Sequence, residues 1–245
     1  MKSNQKYVCL IVHTERLHSD KVWNRIKGLL KFFNKFNVQA TWFSVNPCFI
    51  GYKAMGFKEE KWKERLKVLA ENNQSIEQHT HFYKGEKGIP KGRGYDLSPE
   101  HIIKRIREDR NWLKEQGYEI TGFLSGAWKI NEEILKILAQ QGYKYDLSIN
   151  NLNLKQECSI KKINSLLEIP ATANIKRLFL DIICFRLKRR ALAHKGVSLY
   201  AVHFHDFDLR DTFNYLILLF LIFILSIINF KFIGVKEFYE RTSKY

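Results

Sequence analysis

Cysteine is scarce and scattered: Cys9, Cys48, Cys158 and Cys184 lie far apart and form no C-x-x-C pair. That spacing excludes a zinc knuckle and a disulfide-stapled scaffold, and it suits a reducing compartment. Acid is short as well. Only 25 Asp and Glu stand against 41 Lys and Arg, a formal net charge of +16, which predicts attraction to anionic surfaces such as nucleic acid, acidic lipid or phosphate-bearing carriers. The cations are spread over many helical patterns, without a helix-turn-helix, zinc-finger or aromatic RNA-binding strand signature, so no nucleic-acid partner is expected. The opening "MKSNQKYVCLIVH" shows no succession of charged, apolar and small-residue regions; it enters an apolar run at once and reads as a strand. Cytoplasmic residence is the expectation.

Long apolar runs are also missing, with one near-exception. "YLILLFLIFILSII", Tyr215 to Ile228, has 14 residues without a charge, about 21 Å as a helix against a hydrocarbon core of ~30 Å. Because Lys231 follows closely and "FKFIGV" then reads as another strand, the segment is expected to be a buried or membrane-resting helix, leaving peripheral membrane contact open.

What is present is ample for a core: 45% hydrophobic and 14% aromatic residues, with no Pro/Gly-rich linker to divide them, predict one domain over 1–245. Strand-like runs recur at Tyr7–Val12, Val38–Val45, Gln74–Gln78, Ile120–Leu124, Tyr145–Ile149, Leu167–Ile169, Val197–Phe204 and Phe230–Val235. Helical patterns fill most gaps. Asp20–Phe36 aligns Trp23, Ile26, Leu30 and Phe33; a second helix has Ser98 as N-cap, Pro99 in its first turn and Gly117 at its end; a third is capped by Asn131 and closed by Gly142. This alternation predicts an α/β fold with a mainly parallel sheet of seven to eight strands, closed or nearly closed as a (β/α) barrel, with an open doubly wound sheet as the alternative. The irregular stretch Phe82–Leu97, with four Gly and Pro90, is placed to serve as a lid.

In such folds the working residues lie beyond the carboxyl ends of the strands. Five of the eight histidines obey that rule: His13 with Glu15 after the first strand, His79 and His81 after the third, His203 and His205 at the end of "VSLYAVHFHDFD". Ser125 and Trp128 follow the fourth strand, and Asp146 lies in the fifth. A loop His pair is ordinarily solvated and a strand His ordinarily a satisfied core residue; the convergence of several on one edge is what points to a site. Residues two apart on an extended chain face the same side, so His79 and His81 can offer two imidazoles to one divalent cation, zinc being the best fit. Glu15 or His13 can supply a third ligand. Water at such a centre has its pKa lowered to roughly 7, which makes hydrolysis of an amide or ester the natural chemistry.

These segments, in their order, resemble the polysaccharide deacetylases of carbohydrate esterase family four. "YVCLIVHTER" looks like the first family motif, "VQATWFSV" like its second strand, "NNQSIEQHTHFYKG" like the metal motif, "GFLSGAWKINEEILKILAQQGYKYDLSI" like the third motif with its following helix and strand, and "LYAVHFHDFDL" like the final motif. The resemblance implies a distorted (β/α) barrel and a metal-dependent hydrolase that removes N-acetyl groups from sugars of a cell-envelope polysaccharide or its precursor. It implies metal ligation by Glu15, His79 and His81, a general-acid role for His205, and a substrate pocket formed by Ser125, Trp128 and Phe204.

The chain departs from that pattern at three positions. His13 stands where the family has its catalytic Asp, Tyr83 where it has its second metal His, and Leu124 where it has an Arg. The first and third changes are linked physically: the family Arg pairs with the base Asp, and losing one partner of a buried pair costs about 3–5 kcal/mol, so both change together. His13 is then either the base or a third nitrogen ligand with Glu15 as base. A catalytically degenerate carbohydrate-binding protein, or an amide hydrolase with another substrate, are the alternatives.

Overall fold

The computed structural model describes residues 5–49, 52, 56–83, 94–152, 159–184, 186 and 191–243. Residues 84–93, the middle of the lid expected at Phe82–Leu97, therefore lie outside the described residues. A single curled sheet organises the rest. Its main path runs β6 (Lys161–Ile163), β7 (Leu166–Glu168), β5 (Tyr145–Asp146), β4 (Gly122–Ser125), β3 (Ser75–Thr80), β2 (Ala40–Ser44), β1 (Lys6–Thr14), β10 (Val197–His205) and β8 (Ala173–Asn174). β9 (Leu192–His194) pairs with β10, and β11 (Lys231–Phe232) lies beside the first residues of β1. The pairs are parallel except β6 with β7 and β9 with β10. The fold is thus the mixed α/β half-barrel of mainly parallel strands that the strand–helix alternation predicts, and among the described residues the main path stays open between β6 and β8 rather than closing.

Strand parity divides the core in two. Even-numbered residues of β1, Val8, Leu10 and Val12, join a large cluster under the helices with Trp42, Val202 and Phe204. Odd-numbered Tyr7, Cys9 and Ile11 join Phe43, Leu124, Tyr145, Leu199 and Ala201 on the concave side. Successive side chains on a strand face opposite ways, so one sequence serves both layers.

Helices α1 (Asp20–Phe36), α2 (Glu59–Glu71), α3 (Pro99–Glu115), α4 (Glu132–Gln140), α5 (Ile175–Ile183) and α6 (Thr212–Ile227) precede α7 (Val235–Ser243). α1 buries Trp23, Ile26, Leu30 and Phe33 as its periodicity predicts. The Asn131 side chain caps α4 by accepting from Ile134 N at 2.8 Å. Ser98 occupies the N-cap of α3 but its side chain makes no cap bond; instead its N–H donates to Asp96 Oδ1 at 2.9 Å. Helix α7 closes the base of the concave core with Val235 and Phe238. No helix among the described residues is long and apolar enough to cross a membrane.

Candidate functional site

The concave parity that is apolar at the base of the sheet turns to imidazole and carboxylate at its carboxyl edge. On β1 the series Tyr7, Cys9, Ile11 continues into His13 and then Glu15; on β10 Leu199 and Ala201 give way to His203 and His205; β3 contributes His79. Parallel pairing puts His13 opposite His205 and His79 opposite Leu124. Ring centroids lie 4.5 Å apart for His13 and His205, 5.1 Å for His13 and His79, and 4.7 Å for His79 and His81. Five histidines predicted to lie at three strand ends thus meet in one place.

Glu15 is the hub. Its Oε1 lies 3.1 Å from His79 Nε2, 3.2 Å from His81 Nε2 and 3.6 Å from His205 Nδ1. Burial pushes the Glu15 carboxyl up, but its close contacts with His79 and His81 outweigh it and hold the group well below the usual carboxylate range. Burial, with neighbouring rings, also lowers three of the imidazoles: His13 is held well below its ordinary value, His81 falls to about 4 and His203 to about 3. Burial lowers His205 too, against the opposing pull of Glu15.

One contact fixes a tautomer. His79 Nδ1 lies 2.9 Å from the Leu124 carbonyl oxygen, which can only accept, so Nδ1 carries the proton. In the neutral ring Nε2 then aims a lone pair at Glu15 Oε1, acceptor against acceptor. A cation between the two removes that conflict, and a backbone carbonyl behind a ligating imidazole is the usual outer support of such a centre. The donor chemistry agrees: ligand atoms of His13, Glu15 and His79 all lie within 4.8 Å of one another, and His81 converges on the same oxygen. Nitrogen and carboxylate donors of this kind suit zinc and similar divalent ions.

The surroundings hold these groups rigidly. β3 is tied to α3 through Gln78, which donates to Thr80 Oγ1 and Ile106 O, both at 2.9 Å, and through Thr80 Oγ1, which donates to Asp109 Oδ2 at 2.8 Å. Arg105 completes that network on Asp109 at 2.7 Å. Asp206, next to His205, accepts from Arg16 N through both carboxylate oxygens at 3.1 and 2.8 Å and so clamps the segment bearing Glu15 to the end of β10. Burial pushes that carboxyl up to about 8 despite those bonds. His13 Nε2 and His203 Nδ1 share a hydrogen bond at 3.1 Å, beneath the Trp128 indole.

After β4 the backbone turns sharply. Ala127 and Trp128 both have positive φ, 54° and 56°, a conformation that costs non-glycine residues of order 1–3 kcal/mol and that gathers at functional sites. Gly126 precedes them because the His81 ring occupies the space that a Cβ there would need. The turn presents Trp128 to a cleft of about 470 Å³ lined by His13, Glu15, His81 and His205 from the polar cluster, and by Tyr52, Phe57, Tyr83, Phe207, Arg16 and Arg210 around it. Tyr83 stacks on His81 at 4.8 Å.

Two expected substrate contacts fall elsewhere. Ser125 is fully buried and its hydroxyl donates to Lys129 O at 2.7 Å; Phe204 has the even parity of β10 and packs in the helix-side core. Neither lines the cleft. Conversely, the roles of Arg16, Tyr52, Phe57, Arg210 and Asp206 were not read from the sequence. Arg16 and Phe57 lie in irregular segments, and Asp206 and Arg210 in a 3-10 helix of five residues, too short to leave a period; only the neighbourhood of Asp206 to the His203/His205 pair offered a signal.

This arrangement is a cluster of imidazole and carboxylate donors that could hold a metal ion, at the open edge of an α/β half-barrel. The family profile "Polysaccharide deacetylase" matches residues 17–145. The chain belongs to the polysaccharide deacetylase family. Among solved structures, a Mycobacterium smegmatis protein described as a polysaccharide deacetylase superposes with TM-score 0.72 at 14% identity, over 100% of this chain and 92% of that one. The peptidoglycan deacetylase PdaC of Bacillus subtilis gives 0.58 at 15%, over 100% and 94%. A CE4 family pseudoenzyme from Bacillus anthracis gives 0.59 at 15%, over 96% and 68%. A comparison with curated proteins finds no match.

Proposed function

We propose that the protein is a metal-dependent N-deacetylase acting on an N-acetylated sugar of a cell-envelope glycan or its precursor. The observation that carries this reading is the convergence of His79 and His81 on one oxygen of Glu15, with the His79 tautomer fixed by the Leu124 carbonyl. His79, His81 and Glu15 would hold the metal, with His13 close enough to join them. When bound, a zinc-like ion polarises the acetyl carbonyl and acidifies water.

The protein's own groups supply the proton transfers. Hydrolysis of an acetamide needs a base to take a proton as a water oxygen adds to the carbonyl carbon, and an acid to protonate nitrogen as the C–N bond breaks. His13 is neutral and lines the cleft, so it can accept the first proton. His205, the most exposed of the clustered imidazoles, stands next to it and can pass that same proton on to the leaving amine. Trp128 offers a flat apolar wall of the kind that sugar rings stack upon. A second reading, a site that binds glycan without turning it over, draws on His13 standing in place of the family's catalytic Asp and on the likeness to a pseudoenzyme.

The deciding experiment measures metal content and release of acetate from N-acetylglucosamine oligomers, for the wild type and for His79→Ala/His81→Ala. About one divalent ion per chain, lost in the variant together with activity, is the expected result. Metal without turnover in the wild type would favour the binding-protein reading. No metal after reconstitution would reject the hydrolase.

A further inference from the structure

Helix α6 is apolar on both faces. Ile217, Leu218, Leu221, Ile222 and Leu225 pack into the core, while Phe213, Leu216, Phe220, Phe223 and Ile227 are 43–64% exposed. The exposed set repeats at intervals of three and four, so it forms one stripe along the outward side. Helix α5 packs beside it through Phe179 and Phe220, ring centroids 5.9 Å apart, and adds exposed Leu180 and Ile183. Of the nine large apolar side chains exposed among the described residues, eight belong to these two helices or to the C-cap of α6. They are a patch, not the scatter that an ordinary surface carries.

Charge indicates what covers it. Lys176 and Arg177 are exposed one turn before Leu180 on α5. Phe36 of α1 touches Phe223 at 6.0 Å and carries the Lys35 ammonium over its ring at 5.7 Å. Arg25 lies over Tyr215 at 4.9 Å near the start of α6, and exposed Lys231 follows its end. Acid is almost absent: α6 has none, Asp181 of α5 is buried, Asp211 is spent capping α6, and Asp20 of α1 is paired with Lys61 and Arg65 at the helix's far end. An apolar ridge framed by cations matches the surface of an anionic bilayer, whereas two copies of this face would set cations against cations. At 16 residues α6 is about 24 Å long, and its inner side is committed to the core, so it lies along the surface rather than across it.

We propose that the α5–α6 face docks the protein on anionic lipid, with Phe213, Leu216, Phe220 and Phe223 entering the headgroup–acyl boundary and the flanking Lys and Arg engaging lipid phosphates. Phe207 and Arg210 of the cleft lead through Asp211 directly into α6, so docking brings the cleft's rim next to the membrane. This inference does not depend on the activity proposed above.

The test is flotation of the full chain with phosphatidylcholine vesicles, with and without phosphatidylglycerol, for the wild type, Phe220→Ser/Phe223→Ser and Lys176→Glu/Arg177→Glu. Circular dichroism and metal content report whether each variant is folded. Expected are binding to the anionic vesicles alone, a fall of roughly tenfold or more for either variant, and weakening by salt for the wild type. No vesicle binding by the wild type overturns the proposal, as does equal binding by the Phe variant, which would reduce the effect to overall charge. A wild-type dimer that the Phe variant turns into a monomer, without vesicle binding, would assign the face to a second copy. Should the Phe variant fail to fold, the charge-reversal variant decides: unchanged binding overturns the proposal.

Discussion

At the scale of single residues, the site depends on positions that carry no chemistry of their own. Gly126 reacts with nothing, yet a methyl group there collides with the His81 ring. Gly126→Ala is therefore expected to weaken metal affinity by about 10–100-fold, the range for losing support of a ligand, while the fold survives; chelator competition measures the first and thermal melting the second. A buried carboxylate away from the cleft gives a different test. Asp146 accepts from Ser148 N at 2.9 Å and Ser148 Oγ at 2.6 Å, and burial pushes its pKa up to about 7. Its unfolded value is about 3.9, so between about pH 4 and 7 the native state holds a proton that the unfolded chain has released. The associated stability is fully present below the unfolded value and lost as pH rises through the native one, with a slope of at most about 1.4 kcal/mol per pH unit. Asp146→Asn removes that titration, so urea denaturation should show the wild type losing stability relative to the variant as pH rises from 4 to 8. A pH-independent difference would show that Asp146 is not protonated in the native protein. Residue-level legibility followed strand parity: the spacing of His79 with His81 and of His203 with His205 was readable because residues two apart share a face. Ser125 and Phe204 were misplaced for the same reason, since one step along a strand reverses the face.

At the scale of elements, caps and periodicity carried most of the information. Asn131 and Ser98 both read as N-caps, but only Asn131 makes the side-chain bond. Asn131→Ala should cost about 1 kcal/mol and Ser98→Ala only a small fraction of that; chemical denaturation of the two variants separates a cap by sequence from a cap by geometry. The eight anticipated strand regions each contain a strand, while β6, β8 and β9, of three, two and three residues, were not anticipated. The order of strands along the sheet comes from pairing between distant segments, which no local pattern records. α6 shows the limit from the other side: its uncharged composition was plain, but which apolar side chains remain outside is decided by α1 and α5 packing against it.

At the scale of the whole molecule, the concave side of the sheet is one continuous layer with two ends. Phe238 on α7 fills its base, fully buried against the same cluster as Cys9 and Leu199, while the polar cluster stands at the opposite, carboxyl ends of the strands. Phe238→Ala should cost about 3–5 kcal/mol through the cavity it leaves, yet leave metal stoichiometry unchanged, because the proposed ligands sit at the strand ends and not on α7. Metal removal acts at the other end. An ion that binds only the native state adds about 2.7 kcal/mol when present at a hundred times its Kd, which for a chain of this size corresponds to roughly 5–11 °C in Tm. Sites more than about 10 Å apart with no shared partner contribute additively within about 0.5 kcal/mol, so the drop in Tm on chelation should be nearly the same in Phe238→Ala as in the wild type, and absent from His79→Ala/His81→Ala. Differential scanning calorimetry of the three proteins with and without chelator measures this directly. A chelation effect that vanished in Phe238→Ala would mean that the base of the half-barrel sets the geometry of its rim, and that the two ends act as one cooperative unit.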